Sequence, residues 1–90
     1  MEIGDLVTLR IIPNHSRDCC RIFNIPNSME KLESGWIYST FVDKLFIGEL
    51  GVVVELRSDI HKVRILSPRG ILGWCTEDNL VEIDNETTTR

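Results

Sequence analysis

The segment from Gly51 to Leu66 does most to constrain what this chain can fold into. It holds two runs rich in valine, leucine and isoleucine, and neither has the i, i+3, i+4 spacing of an amphipathic helix. Gly51-Val52-Val53-Val54-Glu55-Leu56-Arg57 is dominated by β-branched residues, with Val52, Val54 and Leu56 expected to face inward. Ser58-Asp59 breaks the run. His61-Lys62-Val63-Arg64-Ile65-Leu66 then alternates, with Val63 and Ile65 inward and Lys62 and Arg64 outward. Ser67-Pro68-Arg69-Gly70 has the residues of a tight turn: proline presets φ, and glycine accepts a positive one. Ile71 to Cys75 is expected as a further strand. Thr76-Glu77-Asp78-Asn79 follows as one turn of helix capped by Thr76, and Leu80 to Ile83 closes the domain. Upstream, Leu6 to Ile11 alternates after the turn pair Gly4-Asp5, with Val7, Leu9 and Ile11 on one face.

Five strands rich in Val and Ile need their edges hidden, and a small closed barrel hides them. The expected fold is therefore all-β, one domain over residues 1–83, with a flexible tail over 84–90. Its expected core is Val7, Leu9, Val52, Val54, Val63, Ile65 and Ile83. The long stretch 12–48 lies between the first and second strands and exceeds an ordinary loop. Asn27-Ser28-Met29-Glu30 reads as a capping box, and Gly35 stands where a helix end wants positive φ, so a short helix is expected over Ser28 to Ser34. Trp36 to Val42 reads as extended, and Ile22, Ile25, Leu32, Ile37 and Phe41 are expected to pack onto the barrel.

Hydrophobic residues make up 42% of the 90 and charged ones 27%, which is the balance of a folded domain rather than a disordered chain. Fourteen acids against ten bases leave a net charge of −4, against a protein whose main task is to coat nucleic acid. No apolar run reaches a membrane span, and two acids in the first five residues do not suit a signal peptide. Three cysteines, two of them adjacent (Cys19 and Cys20), favour free thiols and a cytoplasmic setting. His15 with Cys19 and Cys20 lacks the spacing of a zinc knuckle, and no nucleophile motif or phosphate loop is present. No cofactor, metal or enzymatic activity is expected.

Three segments carry a resemblance. Gly4-Asp5-Leu6-Val7, Gly48-Glu49-Leu50-Gly51-Val52-Val53-Val54-Glu55 and the run from Gly73 to Ile83 (Gly73-Trp74-Cys75-Thr76-Glu77-Asp78-Asn79-Leu80-Val81-Glu82-Ile83) resemble an SH3-like barrel, across about half the chain. The resemblance is to the small SH3-like proteins encoded by tailed bacteriophages, and more distantly to KOW-type ribosomal and transcription proteins. It implies a five-stranded barrel, from whose usual short first loop the long 12–48 insertion departs, and a viral accessory protein that docks on a host or virion protein. A structural virion component is a further reading.

The residues themselves suggest two surfaces. Arginines and aromatics dominate contact energy in interfaces. His15, Arg17, Arg21, Trp36 and Tyr38 in the insertion, with Trp74 on the barrel, are thus the candidate partner-binding residues. Trp74 has the competing role of packing beneath the insertion. Arg10, Arg57, Lys62, Arg64 and Arg69 form the alternative, a basic outward face for nucleic acid. That face also has a plain reading as a solvated sheet with Glu55 and Glu82 interleaved as ion pairs.

Overall fold

The computed structural model describes residues 1–13 and 18–83. The expected tail at 84–90 and the candidates His15 and Arg17 lie outside them.

The described chain is all-β, with nine strands in two sheets. They are β1 (Leu6–Leu9), β2 (Cys19–Phe23), β3 (Met29–Leu32), β4 (Gly35–Tyr38), β5 (Phe41–Phe46), β6 (Leu50–Arg57), β7 (Lys62–Leu66), β8 (Leu72–Thr76) and β9 (Leu80–Glu82). Seven of them form one antiparallel sheet in the order β5-β2-β8-β7-β6-β1-β9, and β3 and β4 form a separate hairpin. The sheet is not closed into a barrel: β5 and β9 remain its two edges. Five expected strands become nine because the stretch 12–48 is itself mostly strand, and two of its strands join the main sheet.

One core serves all seven strands. Val7, Leu9, Cys20, Ile22, Leu45, Val53, Val63, Ile65, Cys75 and Leu80 are buried in it, with Met1 and Leu56 packed alongside. Three of these come from the 12–48 stretch, so that stretch supplies core and is not an appendage laid on a finished domain.

Several expected faces change. On β6 the enclosed side chain is Val53, while Val52 and Val54 are half-buried. Gly51 sets this phase: a Cβ there would come within 3.0 Å of Ile65 Cδ1, so position 51 faces the core and position 53 follows it. A bulge at Val54, between the pairs Val53↔Ile65 and Glu55↔Arg64, then resets the alternation and brings Leu56 back inward. At the ends, Ile11 and Ile83 are exposed, and Leu80 holds the core place expected of Ile83. The turn after β7 forms as expected, with the Gly70 N–H donating to Ser67 O at 2.9 Å and Gly70 at φ +81. A single 3₁₀ turn over Glu77–Asn79 precedes β9, and the Thr76 side chain makes no capping bond to it.

The expected helix over Ser28 to Ser34 is a hairpin instead. Met29↔Tyr38, Glu30↔Ile37, Lys31↔Trp36 and Leu32↔Gly35 pair across a two-residue turn, Glu33-Ser34. Asn27-Ser28 begins the hairpin rather than capping a helix: Ser39 N–H donates to Ser28 O at 2.9 Å, and Asn24 and Thr40 exchange two further bonds beside it. The positive φ foreseen at Gly35 is real, at +130, but it serves the hairpin turn.

Candidate functional site

Alternation in β3 and β4 gives the hairpin arm two faces. Met29, Lys31, Trp36 and Tyr38 share one, and Glu30, Leu32, Gly35 and Ile37 share the other. The first face is open to solvent: Trp36 is 56% exposed, Tyr38 60% and Met29 47%, and the Lys31 ammonium stands 5.9 Å from the Trp36 ring centre. Glu30 and Ile37 on the second face are half-buried. The Glu30 charge reaches Arg57, where it adds to the stronger effect of Asp59 in raising the guanidinium pKa. The arm thus turns its shielded face toward the end of β6 and presents its aromatic face outward.

The outward face of the main sheet is a second surface. Lys44 pairs with Arg21 across β5 and β2, and Lys62 pairs with Thr76 and Arg57 across β7, β8 and β6. Beside them runs the row Phe41, Phe23, Trp74, Arg64 and Glu55, read from the pairs Phe23↔Phe41, Phe23↔Trp74, Arg64↔Trp74 and Glu55↔Arg64. Trp74 is buried at 7% exposure, so it is the floor of this face and not an exposed contact residue. Phe41 and Leu32, expected to pack onto the barrel, are 54% and 46% exposed. Arg21 and Lys44 both approach the Phe41 ring, at 5.9 and 5.8 Å from its centre.

Three of the five basic residues singled out in the sequence are tied to acids. Arg57 donates to Asp59 at 3.1 and 3.2 Å, and Arg64 meets Glu55 at 3.5 Å. Arg69 donates to both Asp43 oxygens at 3.0 Å, to Glu49 at 2.6 and 2.9 Å, and to the Lys44 carbonyl. Lys62 donates to Thr76 Oγ1 at 3.2 Å, and Arg10 is exposed beside Glu77 and Asp78. Arg69 therefore pins the β7–β8 turn onto β5. The carboxylates it holds also cover the strand's outer edge: Asp43 accepts the Lys44 N–H at 2.8 Å and Glu49 accepts the Phe46 N–H at 2.9 Å. Burial alone would push the Asp43 carboxyl up, but bonds from Ser67 Oγ, the Lys44 N–H and Arg69 together leave its pKa lowered. Arg69 and then the Phe46 N–H lower that of Glu49.

His61 is exposed on a left-handed turn residue at φ 56, and no cluster of three metal-ligating side chains occurs among the described residues. All three cysteines are free thiols, Cys20 and Cys75 buried and Cys19 half-buried. The Cys20 thiol beside it and then burial push the Cys75 thiol far up, away from the nucleophilic form. A polar hollow of about 300 Å³ lies between Met1, Arg10, Glu77, Asp78 and Glu82, where the Met1 amine binds Glu82 at 2.8 Å. No helix among the described residues is long and apolar enough to cross a membrane.

Comparison with protein-family models, with curated proteins and with solved structures finds no match to this chain.

Proposed function

We propose that the chain is a non-enzymatic interaction module that docks on a larger protein through the aromatic face of the β3–β4 arm. The observation that carries this reading is the exposure of Trp36 and Tyr38, each more than half open, side by side on a hairpin outside the main sheet. Two-stranded hairpins are marginal by themselves in water, and this one leaves its largest apolar side chains uncovered. Tryptophan and tyrosine are the residue types that most often anchor interfaces. Arg21, also a candidate for partner contact in the sequence, lies on β2 in the main sheet and not on the arm.

The order of the elements supports an SH3-like ancestry for the rest of the molecule. β1, then β6, β7 and β8 as successive hairpins, then one 3₁₀ turn and β9 beside β1, follow the order expected of such a barrel. The β2–β5 stretch then stands as an enlarged first loop. A small accessory protein of the tailed-phage type, acting in the host cytoplasm on a host or virion protein, fits this reading.

A photo-reactive residue placed at position 36 should crosslink one partner from the native host, and one placed at position 64 should not. With that partner purified, Trp36→Ala should weaken binding by about 1 kcal/mol or more, roughly fivefold, with an unchanged melting temperature. An early melt for Trp36→Ala together with full loss of binding for Arg64→Ala would make the arm scaffolding and overturn the proposal.

A further inference from the structure

We propose that the outward face of β5, β2, β8 and β7 binds single-stranded nucleic acid, using Lys44, Arg21 and Lys62 for phosphates and the Phe41 ring for a base. The surface is separate from the aromatic face of the arm, and the two readings stand or fall independently.

The argument starts from register. Lys44 lies opposite Arg21, and the pair Phe23↔Trp74 places Arg21 beside Thr76, which in turn lies opposite Lys62. Three cations therefore line up across four adjacent strands, about 14 Å from end to end at the usual strand spacing. None of the three is in an ion pair among the described residues, whereas Arg57, Arg64 and Arg69 each hold a carboxylate. Of the acids near this face, Glu55 is occupied by Arg64 and Asp59 by Arg57, whose guanidinium the Glu30 charge also reaches. The net charge of −4 is unevenly spread: Asp5, Glu77 and Glu82 gather around the Met1 amine at the β9 end. Local sign on the β5–β2 face is positive.

Charge alone would suit any polyanion. The aromatic row distinguishes among them, because Phe41 is more than half exposed and the Arg21 and Lys44 cations both stand over its ring. A base that stacks on this ring takes the place of the cations over it, and their long side chains swing from the ring to the flanking phosphates. A peptide rich only in glutamate and aspartate brings no aromatic ring to stack on it. A duplex keeps its bases stacked inside and cannot use it.

The test is fluorescence anisotropy with short labelled oligothymidylate and oligouridylate, a duplex of equal length, and a glutamate-rich peptide of equal charge. Single strands should bind best, with log affinity falling against log salt at a slope of about −2, the value for three neutralised phosphates. The double variant Arg21→Ala/Lys44→Ala should weaken binding at least about tenfold, and Phe41→Ala at least about fivefold, as loss of a stacked base would. Trp36→Ala should leave it unchanged. All three side chains are at least partly solvent-exposed, and Lys44→Glu offers a single substitution should the double variant melt early. No binding at low salt, binding indifferent to these variants, or tighter binding of the acidic peptide would each overturn the proposal.

Discussion

Val53 is wholly enclosed, while its neighbours Val52 and Val54 are half-buried, and the difference is large enough to measure. Val53→Ala should lower unfolding free energy by about 1–3 kcal/mol through lost burial and a residual cavity. Val54→Ala should cost about half that or less, and urea titrations of the two variants give the comparison. Equal losses would mean that the bulge at Val54 is not where the pairing puts it. The alternation in this strand was legible in the sequence, but its phase was not. Phase depends on Gly51 coming close to Ile65, a contact between strands that no single run of residues reveals. The same holds at the joint of β2 with β8, where a Cβ on Gly73 would meet three Ile22 atoms at 3.0–3.1 Å. That glycine lies inside an expected strand, and its role as a packing requirement appears only in the fold.

Among the strands, the two of the arm are the ones the core does without. None of the arm's residues from Met29 to Tyr38 is buried, and the strands that lead into it are already joined at its base by the Ser39 N–H to Ser28 O bond. Replacing residues 29–38 with a two-residue Asn-Gly turn should therefore leave the seven-stranded sheet folded, with near-native denaturant midpoint and near-ultraviolet dichroism, and should abolish docking. Unfolding of the shortened chain would show that the arm has a structural task. Trp36 and Tyr38 were legible as candidates from residue type and position in the insertion, and the segment carrying them was legible as extended, whereas its partner β3 reads as a helix in sequence. Asn27 to Glu30 satisfies a capping pattern locally, but Met29-Glu30-Lys31-Leu32 also satisfies the two-residue period of a strand, and pairing with β4 decides between them. The basic row was legible only in part. Lys62 was visible beside its own strand, whereas Lys44 and Phe41 join Arg21 only through the register of β5 on β2.

For the molecule as a whole, the tie between the β7–β8 turn and β5 sets an acid limit. Asp43 and Glu49 are held below the ordinary carboxylate range in the folded state, so their ionised forms favour folding. This contribution is present at neutral pH and is lost as pH falls through their lowered folded values. Arg69→Ala removes the guanidinium that both carboxylates share, so the variant should be less stable at neutral pH. The gap between it and the parent protein should narrow as acid is added, and urea denaturation over a pH series reads it. A gap of constant size would mean that Arg69 acts by packing on Phe46, whose ring centre is 5.7 Å away, rather than through charge. The same side chains also determine how another molecule can take hold of this one. In the C-terminal half of β5 the outward N–H groups of Lys44 and Phe46 and the Lys44 carbonyl are already satisfied from within the chain. A sheet that stops short of closing would ordinarily invite a foreign strand to extend it; along this stretch a neighbour finds no backbone left to zip onto, and recognition there has to be made through side chains.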